Sequence, residues 1–328
     1  EMQQDESNWR PLFDLLLRAD EVRDLPRPVE ADFRRWEARA LAGADWQPRQ
    51  SFLFRMTGRG FAAEQDNDRV AFNLDNERVR DTAIDELYVD WNGSNADARI
   101  GQTSMTLALS PMLWDSDLRV RGAAAGVSRA GTRHEHAFNG IIGYIDHVAG
   151  SESSLGGLQW QWRINGRTGV ALAALVFDEL DTLPTATRTN SRVPGTSVPA
   201  DDFRVVDLAL SHMFGDVTRG LHVGAELVRN VEAEQDADGA RFDMRYGNAG
   251  RSGGLEIGAA VQRIQGDAVA AAINDDDWWF PSRMRGHSAW FGWGFRNHWN
   301  VRLAGFREKR DGMDDWMSRV LLDVSYRY

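Results

Sequence analysis

The sequence predicts an all-β fold: a transmembrane antiparallel β-barrel of about sixteen strands, one domain over residues 1–328. Three observations carry this. Apolar and polar residues alternate with a period of two in segment after segment, the pattern of a strand with one oily and one wet face. The connections between segments alternate between short and long. No stretch reaches the roughly eighteen consecutive apolar residues of a spanning helix, and the greasiest, 170–177, suits only a tilted strand. A soluble sandwich would share the first and third properties but has no reason to sort its loops.

Taken in order, the first strand lies near 9–22. The second, 33–46, sets Trp36, Ala38, Ala40, Ala42, Ala44 and Trp46 against Arg35, Glu37, Arg39 and Asp45. Tryptophan at both ends of an alanine row fits two interfacial girdles around a lipid band. In 51–59, Phe52, Phe54 and Met56 oppose Arg55, Thr57 and Arg59. Strands near 82–92 and 97–105 follow, with Glu86, Asp90 and Arg99 on the wet face. Segments 120–129 and 134–147 alternate too loosely to fix their facing. Segment 158–165 alternates without error, Leu158, Trp160, Trp162 and Ile164 against Gln159, Gln161, Arg163 and Asn165. Further strands lie near 168–180, 202–214 and 219–232. Phe242, Met244 and Tyr246 oppose Arg241, Asp243 and Arg245, and Leu255, Ile257, Ala259 and Val261 oppose Glu256 and Gln262. Strands near 286–296 and 299–309 precede the last one. There Val320, Leu322, Val324, Tyr326 and Tyr328 share one face, and Arg319, Asp323, Ser325 and Arg327 the other.

Short connections at 47–50, 92–95, 130–132, 165–167, 215–218, 248–251 and 297–298 carry the Gly, Asn, Asp and Pro that tight hairpins need. The intervening connections at 65–81, 106–119, 181–201 and 265–285 are long. The 181–201 loop, rich in Thr, Pro, Ser and Arg, reads as exposed and extracellular.

Net charge is −11, which argues against nucleic acid as a partner. Cysteine is absent, so disulfide scaffolds and thiolate metal sites are excluded. The basic residues are arginines apart from Lys309, which suits a crowded wall of planar donors and equally suits a GC-rich genome. The opening residues show no targeting segment, and the chain is read as a mature form.

A terminal aromatic after alternating apolar residues resembles the assembly signal of bacterial outer-membrane barrels. Residues 85–91 (Asp-Glu-Leu-Tyr-Val-Asp-Trp), 98–102 (Ala-Arg-Ile-Gly-Gln) and 113–119 (Leu-Trp-Asp-Ser-Asp-Leu-Arg) resemble proteobacterial outer-membrane porins, including the alginate-export-like group. The local match covers about a tenth of the chain, and Gln102 stands where that group has arginine, which weakens any claim on an anionic polysaccharide. The resemblance implies a channel in the outer membrane of a Gram-negative bacterium, a homotrimer among lipid and lipopolysaccharide. It also implies that 106–119, the third long loop, folds inward as a constriction. Met112, Leu113 and Trp114 would then pin it while Asp115, Asp117 and Arg119 line the opening; an ordinary outward loop is the alternative.

Alternation assigns Arg35, Arg39, Arg55, Arg59, Arg99, Arg163, Arg241, Arg245, Glu86 and Asp90 to the pore lining. A basic ladder at Arg35, Arg39, Arg55 and Arg59 on adjacent strands would favour anions. Mixed cross-strand ion pairs are the competing reading. Asp275, Asp276 and Asp277 offer hard oxygens for Ca²⁺, or simply a solvated turn. His134 and His136 share a strand face without a third ligand, and Ser211 and His212 point to opposite faces, so no catalytic constellation emerges. The expected function is passive diffusion of small hydrophilic, possibly anionic, solutes. The alternatives are a polysaccharide-export barrel, a sheath around a partner protein such as a cytochrome, and a soluble all-β binding protein.

Overall fold

The computed structural model describes residues 8–25, 32–66, 80–145, 153–180, 189–196, 198–216, 219–275 and 277–328. They form sixteen strands: β1 (Trp9–Arg23), β2 (Phe33–Arg49), β3 (Phe52–Gln65), β4 (Arg80–Asn92), β5 (Ala96–Thr103), β6 (Val120–Ala130), β7 (His134–Ile145) and β8 (Ser154–Ile164), then β9 (Thr168–Asp178), β10 (Phe203–Phe214), β11 (Leu221–Asn230), β12 (Asp238–Gly247), β13 (Leu255–Ile264), β14 (Met284–Phe295), β15 (Trp299–Arg310) and β16 (Met317–Arg327). Each pairs antiparallel with its sequence neighbours, and β1 pairs with β16 to close the ring. At that seam Leu15 lies opposite Tyr326 and Arg18 opposite Asp323. Closure gives every described strand two neighbours, which a bilayer interior demands because lipid offers no hydrogen bonds.

The alternation resolves into an exposed apolar outside and a buried inside. Met56, Ile100, Leu158, Leu255 and Ile257 are exposed, whereas Glu37, Asp90, Gln159, Glu226 and Asp323 are buried. The loosely patterned β6 and β7 follow suit: Ala124 and Ile141 are buried, Val127, Phe138 and Ile142 exposed. The inward residues of β6 are small or apolar, and those of β7 mix Glu135 and Asn139 with Ala137, Ile141, Gly143 and Ile145, which is why the alternation there is weak.

One irregularity positions charge. Thr57 pairs with Glu86 but Gly58 with Ile84, so β4 bulges at Asp85 and both Asp85 and Glu86 are buried. The Gln102 amide donates to the Ile84 and Asp85 carbonyls at 2.9 and 3.0 Å, satisfying backbone the bulge has freed. Gln102 therefore braces the wall from the outward-facing side of β5. Beside it Gly101 takes φ 132°, where a Cβ would run into the Leu87–Tyr88 backbone.

Two long loops fold inside the barrel. One, 104–119, joins β5 to β6; the other, 265–283, joins β13 to β14. They meet through backbone hydrogen bonds, Asp115 N–H to the Ile273 carbonyl at 2.8 Å and Asp275 N–H to the Pro111 carbonyl at 2.9 Å. Around them the strand ends turn apolar side chains inward: Val22, Phe33, Ile145, Phe177, Phe203, Ile264, Met284 and Met317 join one buried cluster with Met112, Leu118, Ile273, Trp278, Trp279 and Phe280. The sequence reading of 265–285 as a solvated turn is thus corrected. Its three aromatics have more apolar area than water can favourably surround, and the apolar upper lumen takes them in. The reading of 181–201 as wholly exposed is corrected too, for the part described. Buried Asn190 donates to the Gly266 and Val269 carbonyls at 2.7 and 2.9 Å and accepts from Ala271 N–H at 3.0 Å.

Candidate channel constriction

Inward charges gather on the wall from β15 through β1 to β5. On β1 and β16, Arg18 forks onto Asp323 at 2.8 and 3.1 Å, and Arg319 onto Asp20 at 3.0 and 2.7 Å. On β2, Glu37 takes Arg39 at 3.0 Å and Arg35 at 3.4 Å. Arg55 of β3 grips Asp45 at 2.7 and 2.9 Å and reaches Glu86 at 3.4 Å. Arg59 lies 3.8 Å from Asp85. Arg99 of β5 pairs with Asp90 at 3.3 and 3.2 Å, 4.3 Å above the Tyr88 ring. Planar guanidinium forks on carboxylates hold such geometry better than lysine would.

The 104–119 loop closes against this wall. Its Arg119 forks onto Asp85 at 3.2 and 2.9 Å, its Asp117 pairs with Arg39, and Ser104 donates to Glu86 at 2.6 Å. At its other side, Gln159 of β8 exchanges two 2.9 Å bonds with the Ala108 backbone. The loop therefore spans the lumen from the charged wall to a wall that carries Ala124, Ile141, Leu155, Ala173 and Leu175, all buried.

The second loop is pinned by charge and by rings. The Asp277 carboxylate takes Arg18 at 2.9 Å and Arg302 at 2.8 Å, and its carbonyl accepts from Arg319 at 3.0 Å. Burial pushes this carboxyl up, but Arg18, Arg302 and Arg319 outweigh that and hold it well below the usual carboxylate range. Buried Glu308 of β15 accepts the Trp279 and Phe280 N–H groups, both at 3.0 Å.

Of the residues singled out from sequence, Arg35, Arg39, Arg55, Arg59, Arg99, Glu86, Asp90, Asp117 and Arg119 come together here. Each of these arginines carries an acidic partner, so the ladder is a lane of ion pairs rather than a strip of bare cations. Trp114 is buried in the shared loop core, and the Asp115 carboxylate accepts Asp117 N–H at 2.7 Å. Three residues lie elsewhere. Arg163 pairs with Glu135 at 2.9 Å toward the short-turn end, Arg241 donates to Gln262 at 2.9 Å, and Arg245 lies 3.9 Å from Glu256. Sequence reasoning missed Asp85, whose inward turn depends on the bulge, and the pinning roles of Asp277 and Glu308. Repeated Asp and aromatic residues at 275–280 were the available signal.

Asp275 accepts the Asp277 N–H at 2.8 Å, and Asp276 lies outside the described residues. Among the described residues no cluster of three or more His, Asp or Glu side chains is placed to hold a metal ion. His134 and His136 are outward, stacked on Trp162 and Trp160 with centroids 5.8 and 6.0 Å apart.

No family model and no curated relative matches the sequence. Solved structures do. Pseudomonas putida OprB at high pH superposes with a TM-score of 0.63 at 12% identity, over 98% of this chain and 94% of that one. A triple mutant of Rhodopseudomonas blastica porin superposes with a TM-score of 0.54 at 12% identity, over 98% of this chain and 100% of that one. The chain has the porin fold. At this identity the likeness is one of architecture, and what passes through the barrel has to be argued from its own residues.

Proposed function

We propose that the protein is a passive diffusion channel in the outer membrane of a Gram-negative bacterium, passing small hydrophilic solutes. The observation that supports it is the lane of inward ion pairs facing the 104–119 loop inside a closed barrel with an apolar exterior. The short-turn end is periplasmic and the long-loop end extracellular in this reading. Because Arg35, Arg39, Arg55, Arg59 and Arg99 all carry acids, selectivity between small anions and cations is weak, and the paired charges orient polar solutes instead. Two joined loops across the lumen favour small solutes over a polymer chain or an enclosed protein. Ser211 and His212, on opposite faces of β10, favour transport over catalysis. Assembly as a trimer belongs to the same reading, by analogy with porins, and native mass measurement tests it.

Single-channel recording in planar bilayers tests the function. Ohmic conductance with a reversal potential near zero in a KCl gradient is the expected result. A purified, folded barrel that never conducts would overturn it.

A further inference from the structure

Outward positions at the two ends of β13–β16 carry different chemistry. Toward the short-turn end they are aromatic: Trp293, Phe295, Trp299 and Tyr326 form a continuous row with neighbouring centroids 5.2, 6.1 and 5.0 Å apart. Toward the long-loop end they are basic. The register sets Arg263 directly opposite Arg285, and Arg285 directly opposite Lys309. One step closer to the apolar belt, His287 lies opposite Arg307.

Directly opposed residues in an antiparallel ladder hold their Cβ atoms about 4.5–5.5 Å apart, so like charges there repel. Elsewhere on this rim the arginines have acids of their own: Arg204 pairs with Glu232 and Arg229 with Asp238, both at 2.8 Å. Among the described residues no carboxylate lies within ion-pair distance of Arg263, Arg285 or Arg307. Arg285 lies over the Trp316 ring at 6.0 Å, Arg307 donates to the Ser318 hydroxyl at 3.1 Å, and Lys309 reaches the Asp314 carbonyl at 2.9 Å and its exposed carboxylate at 4.0 Å. A row of three opposed cations in a chain of net charge −11 is not explained by general composition. Beneath the row lie exposed Val261, Phe291 and Leu303 of the lipid-facing belt.

We propose that Arg263, Arg285 and Lys309 bind the phosphate-bearing headgroup of an anionic lipid in the leaflet around the long-loop end. Guanidinium forks and an ammonium match phosphate oxygens, and the apolar strip directly below receives the acyl chains. This continuity with the belt favours a lipid over a free anion. The proposal rests on the barrel lying in a membrane.

The test is lipid retention by the whole barrel in phosphatidylcholine nanodiscs containing diphosphoryl lipid A, read by native mass spectrometry. The wild type retains lipid A in preference to phosphatidylcholine. The triple variant Arg263→Gln, Arg285→Gln, Lys309→Gln loses that preference by about tenfold or more. The double variant Arg263→Lys, Arg285→Lys keeps it, and so does Arg129→Gln, a charge loss on β6. Heat-modifiable migration on gels reports that each variant is folded. Folded, inserted variants with unchanged retention would overturn the headgroup assignment and leave the membrane reading standing. Displacement of lipid A by millimolar inorganic phosphate would mark a free-anion site and overturn the lipid assignment. A wild-type barrel that does not enter the nanodisc overturns both.

Discussion

Asp277→Asn separates the two devices that hold the 265–283 loop inside the barrel. The substitution removes the charge that Arg18 and Arg302 meet at 2.9 and 2.8 Å. Deleting one partner of a fully buried ion pair costs about 3–5 kcal/mol, and this one, with the Asp277 side chain 19% exposed and Arg302 31% exposed, costs less. The loop is also anchored by Ile273, Trp278, Trp279 and Phe280, all buried, at about 1.5–3 kcal/mol per side chain. Together these four contribute about 6–12 kcal/mol, and the Glu308 bonds to Trp279 and Phe280 add to them. The apolar anchors win, so the loop stays docked and only the field in the lane changes. One uncompensated positive charge favours a passing anion by about 1 kcal/mol at contact distance in a water-like medium, and disfavours a cation by as much. After salt screening, the anion-to-cation permeability ratio rises by about three- to tenfold. The assay is the reversal potential in a tenfold KCl gradient, with single-channel conductance recorded alongside. An unchanged reversal potential would refute the placement of Asp277 beside the ion path. A large jump in conductance would refute the claim that the aromatic residues hold the loop.

Further outcomes follow from the same geometry. Glu308→Ala leaves two buried N–H groups without acceptors, costs about 2–5 kcal/mol, and makes the 265–283 loop cleavable by protease at temperatures where the wild type resists. Replacing Arg55 and Arg59 by alanine strips Asp45 of its guanidinium fork and removes two positive charges from the lane, so reversal potentials shift toward cations; unchanged selectivity would remove these residues from the conducting lane. Asp85→Asn weakens the Arg119 fork, and current noise through single channels increases as the 104–119 loop loosens. The Asp277 pin also fixes a pH dependence. Its folded-state pKa lies below the ordinary value of 3.8, so its contribution is complete above pH 3.8 and lost only as pH falls through the depressed value. What Asp277 contributes to selectivity is therefore flat from pH 8 down to pH 5, and a step within that window would belong to another group.

The barrel was legible in the sequence because its determinant is local: alternation along 51–59, 158–165 and 241–246 tells inside from outside without knowledge of any partner. The inward placement of Arg35, Arg39, Arg55, Arg59 and Arg99 came with it. What neutralises them came in part: Glu37, Asp45, Glu86 and Asp90 lie on the same wet face, whereas Asp85 and Asp117 depend on a bulge and on a loop crossing the lumen. The second infolded loop escaped for a related reason. Residues 274–280 mix carboxylates with aromatics, and only the apolar inward ends of β1, β2, β13 and β14 show that the rings go in. Strands β6 and β7 were obscure because small and apolar residues fill most of their inward positions, so the two faces differ little in polarity.

The seam between β1 and β16 ties Arg18 to Asp323, 305 positions apart along the chain. A contact of that span forms late, after the entropy of gathering nearly the whole polypeptide has been overcome. Until then the growing sheet carries two raw margins of unsatisfied amide and carbonyl groups, each a template for a foreign strand. Fragments lacking the final hairpin would therefore keep those margins indefinitely and stick to one another. Whatever inserts this protein has to shield both rims and release them together, as the last strand arrives.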